Sequence, residues 1–378
     1  MREIGLQKGG TAEPAPIRVL VVDDSHVIRG LLSRSLDSDP GIKVVATASN
    51  GKAAIDEATK TEIDVVVLDI EMPIMDGMTA LPQLLAARPG MQVIMASTLT
   101  LKGASISMKA LSKGAADYVP KPSSTGEINS AEDFKRELIS KVKSWGAVAR
   151  RRRGSAARPG VEAAGTAARR YPVGPVKLRD VPTLFRPDCI AIGSSTGGPQ
   201  ALFKVFQMMG KVTNLPVFVT QHMPATFTTI LAEHLGQASG MPAAEAKDGE
   251  AVMPGRIYVA PGDFHMTVAV EGGRKVLHLD KNPPENFCRP AVDPMLRSLA
   301  KAYNGKVLTV ILTGMGQDGL KGGQDLSAAG GVIAAQDEAT SVVWGMPGAV
   351  ASAGLCSAVL PLSDIGPYVR KAISRMAA

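Results

Sequence analysis

The chain has 378 residues, beyond the size at which a single hydrophobic core keeps growing, so two domains are expected. Hydrophobic residues make up 45% of it and aromatics 4%, enough aliphatic side chains for two α/β cores but too few rings for a base-stacking surface. The net charge of +7 is no sign of nucleic-acid binding, because residues 146–186 hold ten Lys/Arg against two Asp/Glu and the rest is close to neutral.

Residues 1–16 are polar, carry Gly9, Gly10, Pro14 and Pro16, and contain no apolar run that would make a signal peptide. They read as a disordered leader. From 17 to 145 strand and helix signals alternate five times. Strands are expected at 17–22, 42–48, 64–68, 92–96 and 117–119, and amphipathic helices from about residues 25, 51, 78, 103 and 131. Five such units imply one parallel sheet with helices on both faces.

Periodicity is lost over 146–186, which holds Arg150 through Arg153, scattered Ala and Gly, and Pro159, Pro172, Pro175 and Pro182. Such a stretch buries too little apolar surface to offset the entropy of ordering it, so it reads as a flexible linker, with room for one more turn of the preceding helix at its start.

A second α/β domain is expected over 187–378. Strand 189–192 enters a Gly/Ser turn and a helix that Pro199 opens. Strand 216–220 and helix 227–238 follow. Then comes an antiparallel insertion, 256–260 and 265–270, turning at Gly272-Gly273 into 275–279. The alternation resumes with helix 294–303, Asp293 reading as its N-cap, strand 307–312, helix 320–328, strand 332–335 and a last helix from about 364. Every apolar run is strand-sized and ends in a turn signal or a charge, which predicts no membrane insertion. Cys189, Cys288 and Cys356 form no Cys-x-x-Cys pair or metal spacing and read as small hydrophobes in a reducing cytoplasm. Cys288 stands in the loop Asn286-Phe287-Cys288-Arg289-Pro290, which also makes it a candidate for a place near a site, although the small-hydrophobe reading is favoured.

In open α/β sheets ligands bind beyond the carboxyl ends of the strands. There the first domain places Asp23 and Asp24, Asp69, Ser97 and Lys121. Converging carboxylates require a cation, and a hard dication with oxygen ligands, Mg2+ above all, fits them. A hydroxyl and a lysine complete the parts that place a phosphoryl group on a carboxylate. Singly, Asp24 or Ser25 reads as a helix cap and Lys121 as a surface lysine.

Val21-Val22-Asp23-Asp24-Ser25, the stretch from Leu68 to Gly77, Met95-Ala96-Ser97 and Tyr118-Val119-Pro120-Lys121-Pro122 closely resemble the motifs of bacterial response-regulator receivers. The resemblance covers the whole first domain and implies a flavodoxin-like fold. It also implies Asp69 as phosphoacceptor, Mg2+ held by Asp23, Asp24, Asp69 and the Glu71 carbonyl, Ser97 and Tyr118 as switch residues, and Lys121 as the phosphoryl contact.

In the second domain Gly193-Ser194-Ser195-Thr196-Gly197 fits Gly-x-Ser-x-Gly, a turn that exposes a serine hydroxyl. The phosphate-loop alternative fails because Pro199-Gln200 stands where Lys-Ser/Thr is required. A dinucleotide fingerprint fails because Ser195 replaces a glycine and Gln221-His222, not an acid, ends the next strand. His222 ends the strand next in sequence, where a base can reach Ser195, although taken alone it reads sooner as a satisfied histidine in a loop. Asp318, ending the glycine-dense loop from Thr313, reads equally as a third member or as the cap of the following helix. N–H groups in that loop and after Ser195 are placed to hold an oxyanion. His234 and His278 read as structural, and His265 as a second-rank candidate at the rim.

The order Ser…His…Asp sets the chain apart from α/β-hydrolases. The stretches Ile192 to Pro199, Thr220 to Pro224 and Leu312 to Gly319 instead resemble chemotaxis protein-glutamate methylesterases (CheB), which join a receiver to such a domain. Gln317 stands where asparagine is more usual, and Ser194 where alanine is. The resemblance implies Ser195 as nucleophile, His222 as base, Asp318 as orienting acid and the Met315 backbone N–H as oxyanion donor. It further implies a phosphorylation-activated esterase and glutaminase needing no cofactor for that step. Its implied substrate is a methyl-accepting chemoreceptor and its phosphodonor a chemotaxis histidine kinase. The fusion of receiver and esterase leads to the further expectation that the unphosphorylated receiver packs over the Ser195 face and blocks the substrate.

Overall fold

The computed structural model describes residues 15–98, 100–121, 128–156, 176–182, 185–211 and 215–374. Most of the expected leader and linker lies outside these. Two separate sheets organise the chain.

The first is built from β1 (Ile17–Val22), β2 (Ile42–Ala48), β3 (Val65–Asp69), β4 (Gln92–Ser97) and β5 (Asp117–Pro120), in the order β2-β1-β3-β4-β5. The helices α1 (His26–Asp37), α2 (Gly51–Lys60), α3 (Gly77–Ala87) and α4 (Leu101–Ser112) alternate with the strands, and α5 (Ile128–Ala156) follows β5. Each of α1 to α4 begins where a side-chain oxygen satisfies an end N–H. Ser25, Asn50, Asp76 and Thr100 accept from Ile28, Ala53, Thr79 and Gly103 respectively. Central strand β3 is buried throughout, whereas edge strand β2 alternates, as its single covered face requires.

Helix α5 continues to Ala156, eleven residues into the stretch expected as linker. Part of the reason is electrostatic. Arg153 bonds the buried Asp64 at 2.5 Å, Arg150 approaches it to 3.9 Å, and Arg18 bonds it from β1. The arginine run therefore helps to neutralise a buried carboxylate.

The second sheet has seven strands in the order β14-β13-β12-β6-β7-β9-β8. They are β6 (Cys189–Ser194), β7 (Val217–Gln221), β8 (Ala243–Glu245), β9 (Ile257–Val259), β12 (Val307–Ile311), β13 (Val332–Gln336) and β14 (Cys356–Leu360), all paired in parallel. A two-stranded antiparallel unit, β10 (His265–Glu271) and β11 (Arg274–Asp280), stands apart. The helices are α6 (Gly198–Met209), α7 (Ala225–Ser239), α8 (Val292–Ala302), α9 (Leu320–Ala328), α10 (Met346–Ser352) and α11 (Leu362–Ser374).

Three expectations are corrected here. Residues 256–260 do not belong to the antiparallel insertion, because β9 pairs in parallel with β7 and β8. Strands β8 and β14 and helix α10 were not expected at all. Asp293 is not the cap of α8: Ala291 holds that position, and the buried Asp293 carboxylate accepts the Gly322 N–H at 2.7 Å.

Chain order and sheet order diverge at β6, whose neighbours are β7 on one side and β12 on the other. That divergence is where open parallel sheets form their crevice. Among the described residues no helix is long and apolar enough to cross a membrane.

Candidate active site

Ser195 follows β6, His222 follows β7 and Asp318 lies in the loop after β12, so three neighbouring strands deliver the three side chains to one end of the sheet. Backbone bonds lock the three loops together. Ser195 N–H donates to the Thr313 carbonyl at 3.0 Å, and His222 N–H to the Ser194 carbonyl at 3.1 Å. Between β6 and α6 the chain turns through Gly197 at φ +75°, with Pro199 in the first turn of the helix. Gly314 lets the two loops meet, since a Cβ there would lie 2.4 Å from Met346 Sδ and 2.8 Å from Ser195 Cβ.

His222 Nε2 and Asp318 Oδ2 are 2.7 Å apart. Asp318 is no cap: Gly319 holds the N-cap of α9. Its carboxylate also accepts from the N–H groups of Val292 (2.6 Å), Asp293 (3.0 Å) and Gly319 (2.9 Å), and from Asn286 Nδ2 (3.0 Å). Burial alone would raise Asp318, but the His222 bond and charge and these N–H groups hold it below the usual carboxylate value. Burial likewise works against a charged His222, and the Cys288 sulfur and Asp318 together outweigh it, raising the imidazole well above its ordinary value. Asp293 is pushed up by burial and by the negative charge of Asp318.

The second ring nitrogen of His222, Nδ1, lies 3.2 Å from Cys288 Sγ. Ser195 is half-buried, and among the described residues none hydrogen-bonds its hydroxyl. Met315 stands in the loop between Gly314 and Asp318, its side chain 42% exposed. His265 is buried, accepting the Ala291 N–H at Nδ1 and facing the Pro283 carbonyl with Nε2. It supports the loop before α8, and its hydrogen bonds go to Ala291 and Pro283 and not to Ser195, His222 or Asp318.

Sequence reasoning missed Gln221, Asn286 and the contact of Cys288. Gln221 accepts from Ser194 Oγ at 2.7 Å and donates to the carbonyls of Ser195 (2.9 Å) and His222 (3.1 Å), tying the Ser195 and His222 segments together. Its position beside His222 was the only signal. Asn286 and Cys288 come from a loop far along the chain, with no motif to announce them.

At the carboxyl ends of the first sheet, Asp23 and Asp69 are buried and Asp24 is exposed, and their carboxylate oxygens lie within 4.8 Å of one another. Three hard oxygen donors this close fit a divalent cation such as Mg2+. Ser97 is buried at the end of β4, its carbonyl accepting the Lys121 N–H at 2.7 Å. Tyr118 is buried in β5, and Glu71 is exposed after β3.

Residues 190–369 match the CheB methylesterase family and residues 19–132 the response regulator receiver domain. A protein-glutamate methylesterase/protein-glutamine glutaminase of Azospirillum brasilense is 59% identical, over 97% of this chain and 95% of that protein. One of a group 2 operon in Rhodospirillum centenum is 58% identical, over 96% and 95%. With an acid–base pair beside a serine in one domain and an acidic pocket in the other, the chain belongs to the receiver-linked family of protein-glutamate methylesterase/protein-glutamine glutaminases.

Proposed function

We propose that this chain is a phosphorylation-activated hydrolase that demethylates glutamate methyl esters, and deamidates glutamines, on the cytoplasmic helices of chemoreceptors. The observation that carries the reading is the 2.7 Å His222–Asp318 pair beside Ser195 at the ends of three adjacent strands.

In this reading Ser195 Oγ attacks the ester carbonyl while His222 Nδ1, the nitrogen not bonded to Asp318, takes its proton. Asp318 orients the ring and balances the imidazolium. The oxyanion is met by the Met315 backbone N–H. The same proton passes to the departing methanol, and water then attacks the acyl-serine with His222 again as base, returning glutamate and free Ser195. A glutamine amide follows the same course with ammonia as leaving group.

The receiver supplies regulation. Asp69 accepts a phosphoryl group from a histidine kinase, Lys121 contacts it, and Ser97 and Tyr118 respond. Mg2+ bound by Asp23, Asp24, Asp69 and the Glu71 carbonyl would neutralise the charge that gathers during transfer. The receiver spans 17–145, the catalytic domain 187–378, and the unphosphorylated receiver restrains the esterase. Such a protein works in the cytoplasm.

The test is methanol release from methylated receptor membranes, wild type against Ser195→Ala, with and without a small-molecule phosphodonor and Mg2+. The reading expects release that depends on Ser195 and rises with the phosphodonor. Release unchanged in Ser195→Ala would sink the nucleophile assignment. A catalytic domain from residue 187 that is no faster than the full unphosphorylated chain would sink the restraint.

A further inference from the structure

The loop between β11 and α8 carries a built turn. Glu285 and Cys288 exchange backbone bonds, Glu285 N–H to the Cys288 carbonyl at 3.1 Å and Cys288 N–H to the Glu285 carbonyl at 2.9 Å. The residues between them, Asn286 and Phe287, have φ of +52° and +64°, the left-handed pair of a primed hairpin turn. Phe287 is 94% exposed, while its two neighbours reach the catalytic pair. Asn286 Nδ2 donates to Asp318 Oδ1 and to Asp293 Oδ2, at 3.0 Å each. Cys288 Sγ sits 3.2 Å from His222 Nδ1. The position of the thiol is thus fixed on both sides, by the turn and by the Asn286 anchor.

This matters because His222 has one ring nitrogen to spare. Nε2 is committed to Asp318, so only Nδ1 is left to take a proton from Ser195, and the thiol lies on it. The Ser195 hydroxyl itself has no hydrogen-bond partner among the described residues. A disulfide does not explain the placement, since Cys189 and Cys356 are buried and all three thiols are free.

We propose that Cys288 is a positioning residue for the esterase reaction: its sulfur and the Ser195 hydroxyl compete for His222 Nδ1, so the base rests on the thiol in the free enzyme and in the substrate complex alike, and is released to Ser195 only in the chemical step. The proposal rests on the reading of Ser195, His222 and Asp318 as the catalytic set. It makes Cys288 a brake on the chemical step, not on substrate binding.

The experiment uses the full-length protein and methanol release from methylated receptor membranes. Cys288→Ala is expected to raise kcat by about two- to tenfold, the range for loss of one competing hydrogen bond, with KM unchanged. Cys288→Ser, which keeps a group able to bond Nδ1, is expected to stay below Cys288→Ala. A second readout does not depend on turnover. Carbethoxylation of His222 by diethyl pyrocarbonate, followed by peptide mass spectrometry, should be faster in Cys288→Ala because Nδ1 is uncovered. A Cys288→Ala enzyme no faster than wild type, or a His222 modified at the wild-type rate, overturns the proposal. So does activity that survives Ser195→Ala but vanishes in Cys288→Ala, which would make the thiol a nucleophile. An inactive Ser195→Ala alongside a failed Cys288 series removes this inference alone and leaves the catalytic set standing.

Discussion

Asp318 Oδ2 meets His222 Nε2 at 2.7 Å, in a carboxylate that is 1% exposed and also takes N–H bonds from Val292, Asp293, Gly319 and Asn286. A carboxylate bonded on every side remains ionised despite burial, and its charge favours the imidazolium form of His222. In the proposed role of base toward Ser195, His222 works only when neutral.

The raised His222 sets the first expectation. The acid limb of kcat/KM should lie above the ordinary histidine value of about 6.5, activity rising as pH climbs through it. Asp318→Asn should move that limb down and lower kcat by about 10⁴, because the ring loses both its charge partner and its fixed tautomer. A pH–rate profile of each enzyme checks this. A limb that stays in place in the variant would detach Asp318 from the base.

Gly314 predicts a steric effect. A methyl group there meets Met346 Sδ at 2.4 Å and the Ser195 backbone N at 3.0 Å. The sulfur can give way, but the backbone N is held by the Thr313 carbonyl. Gly314→Ala should cost about 1–3 kcal/mol of stability, by overpacking, and displace Ser195 enough to lower kcat about 10²-fold. Thermal melting and methanol release measure the two parts separately.

Gln221 is 2% exposed and serves Ser194, Ser195 and His222 with one amide. Gln221→Ala leaves a buried hydroxyl and two carbonyls without it, at a cost of about 1–3 kcal/mol. Gln221→Glu keeps the shape but loses both N–H donors, so it should not rescue. Denaturant unfolding of the two variants tests this, and a stable, active Gln221→Glu would show the amide donors to be dispensable.

In the receiver, stimulation by a small-molecule phosphodonor should disappear in Asp69→Asn and on chelation of Mg2+. Stimulation that persists in Asp69→Asn would move the phosphoacceptor elsewhere. Radiolabel transfer to the full chain distinguishes lost phosphorylation from lost coupling.

Much of this molecule is written in local pattern. The βα alternation of 17–145 is legible because strand and helix periodicities and side-chain caps such as Ser25 and Asp76 act within a few residues. Asp23, Asp69, Ser195 and His222 are legible because a parallel sheet delivers whatever ends a strand to one edge. Pro199 opening α6 is equally local.

Other features depend on partners far along the chain. The pairing of β9 beside β7 cannot be read from three apolar residues, whose run fits a hairpin or a parallel edge alike. Helix α5 runs on to Ala156 in a stretch rich in arginine, where Arg150 and Arg153 meet Asp64 in β1's neighbourhood, some ninety positions earlier in sequence. Asp318 was open between cap and acid until folding brought His222 to it from 96 residues away.

Which chemical groups end the strands is already written in the order of residues, because turn chemistry and side-chain periodicity are short-range. That Asn286 and Cys288 lie on Asp318 and His222 comes from folding alone. Their placement follows from a left-handed turn and from long-range packing of α8 against the end of the sheet, neither of which leaves a local signature.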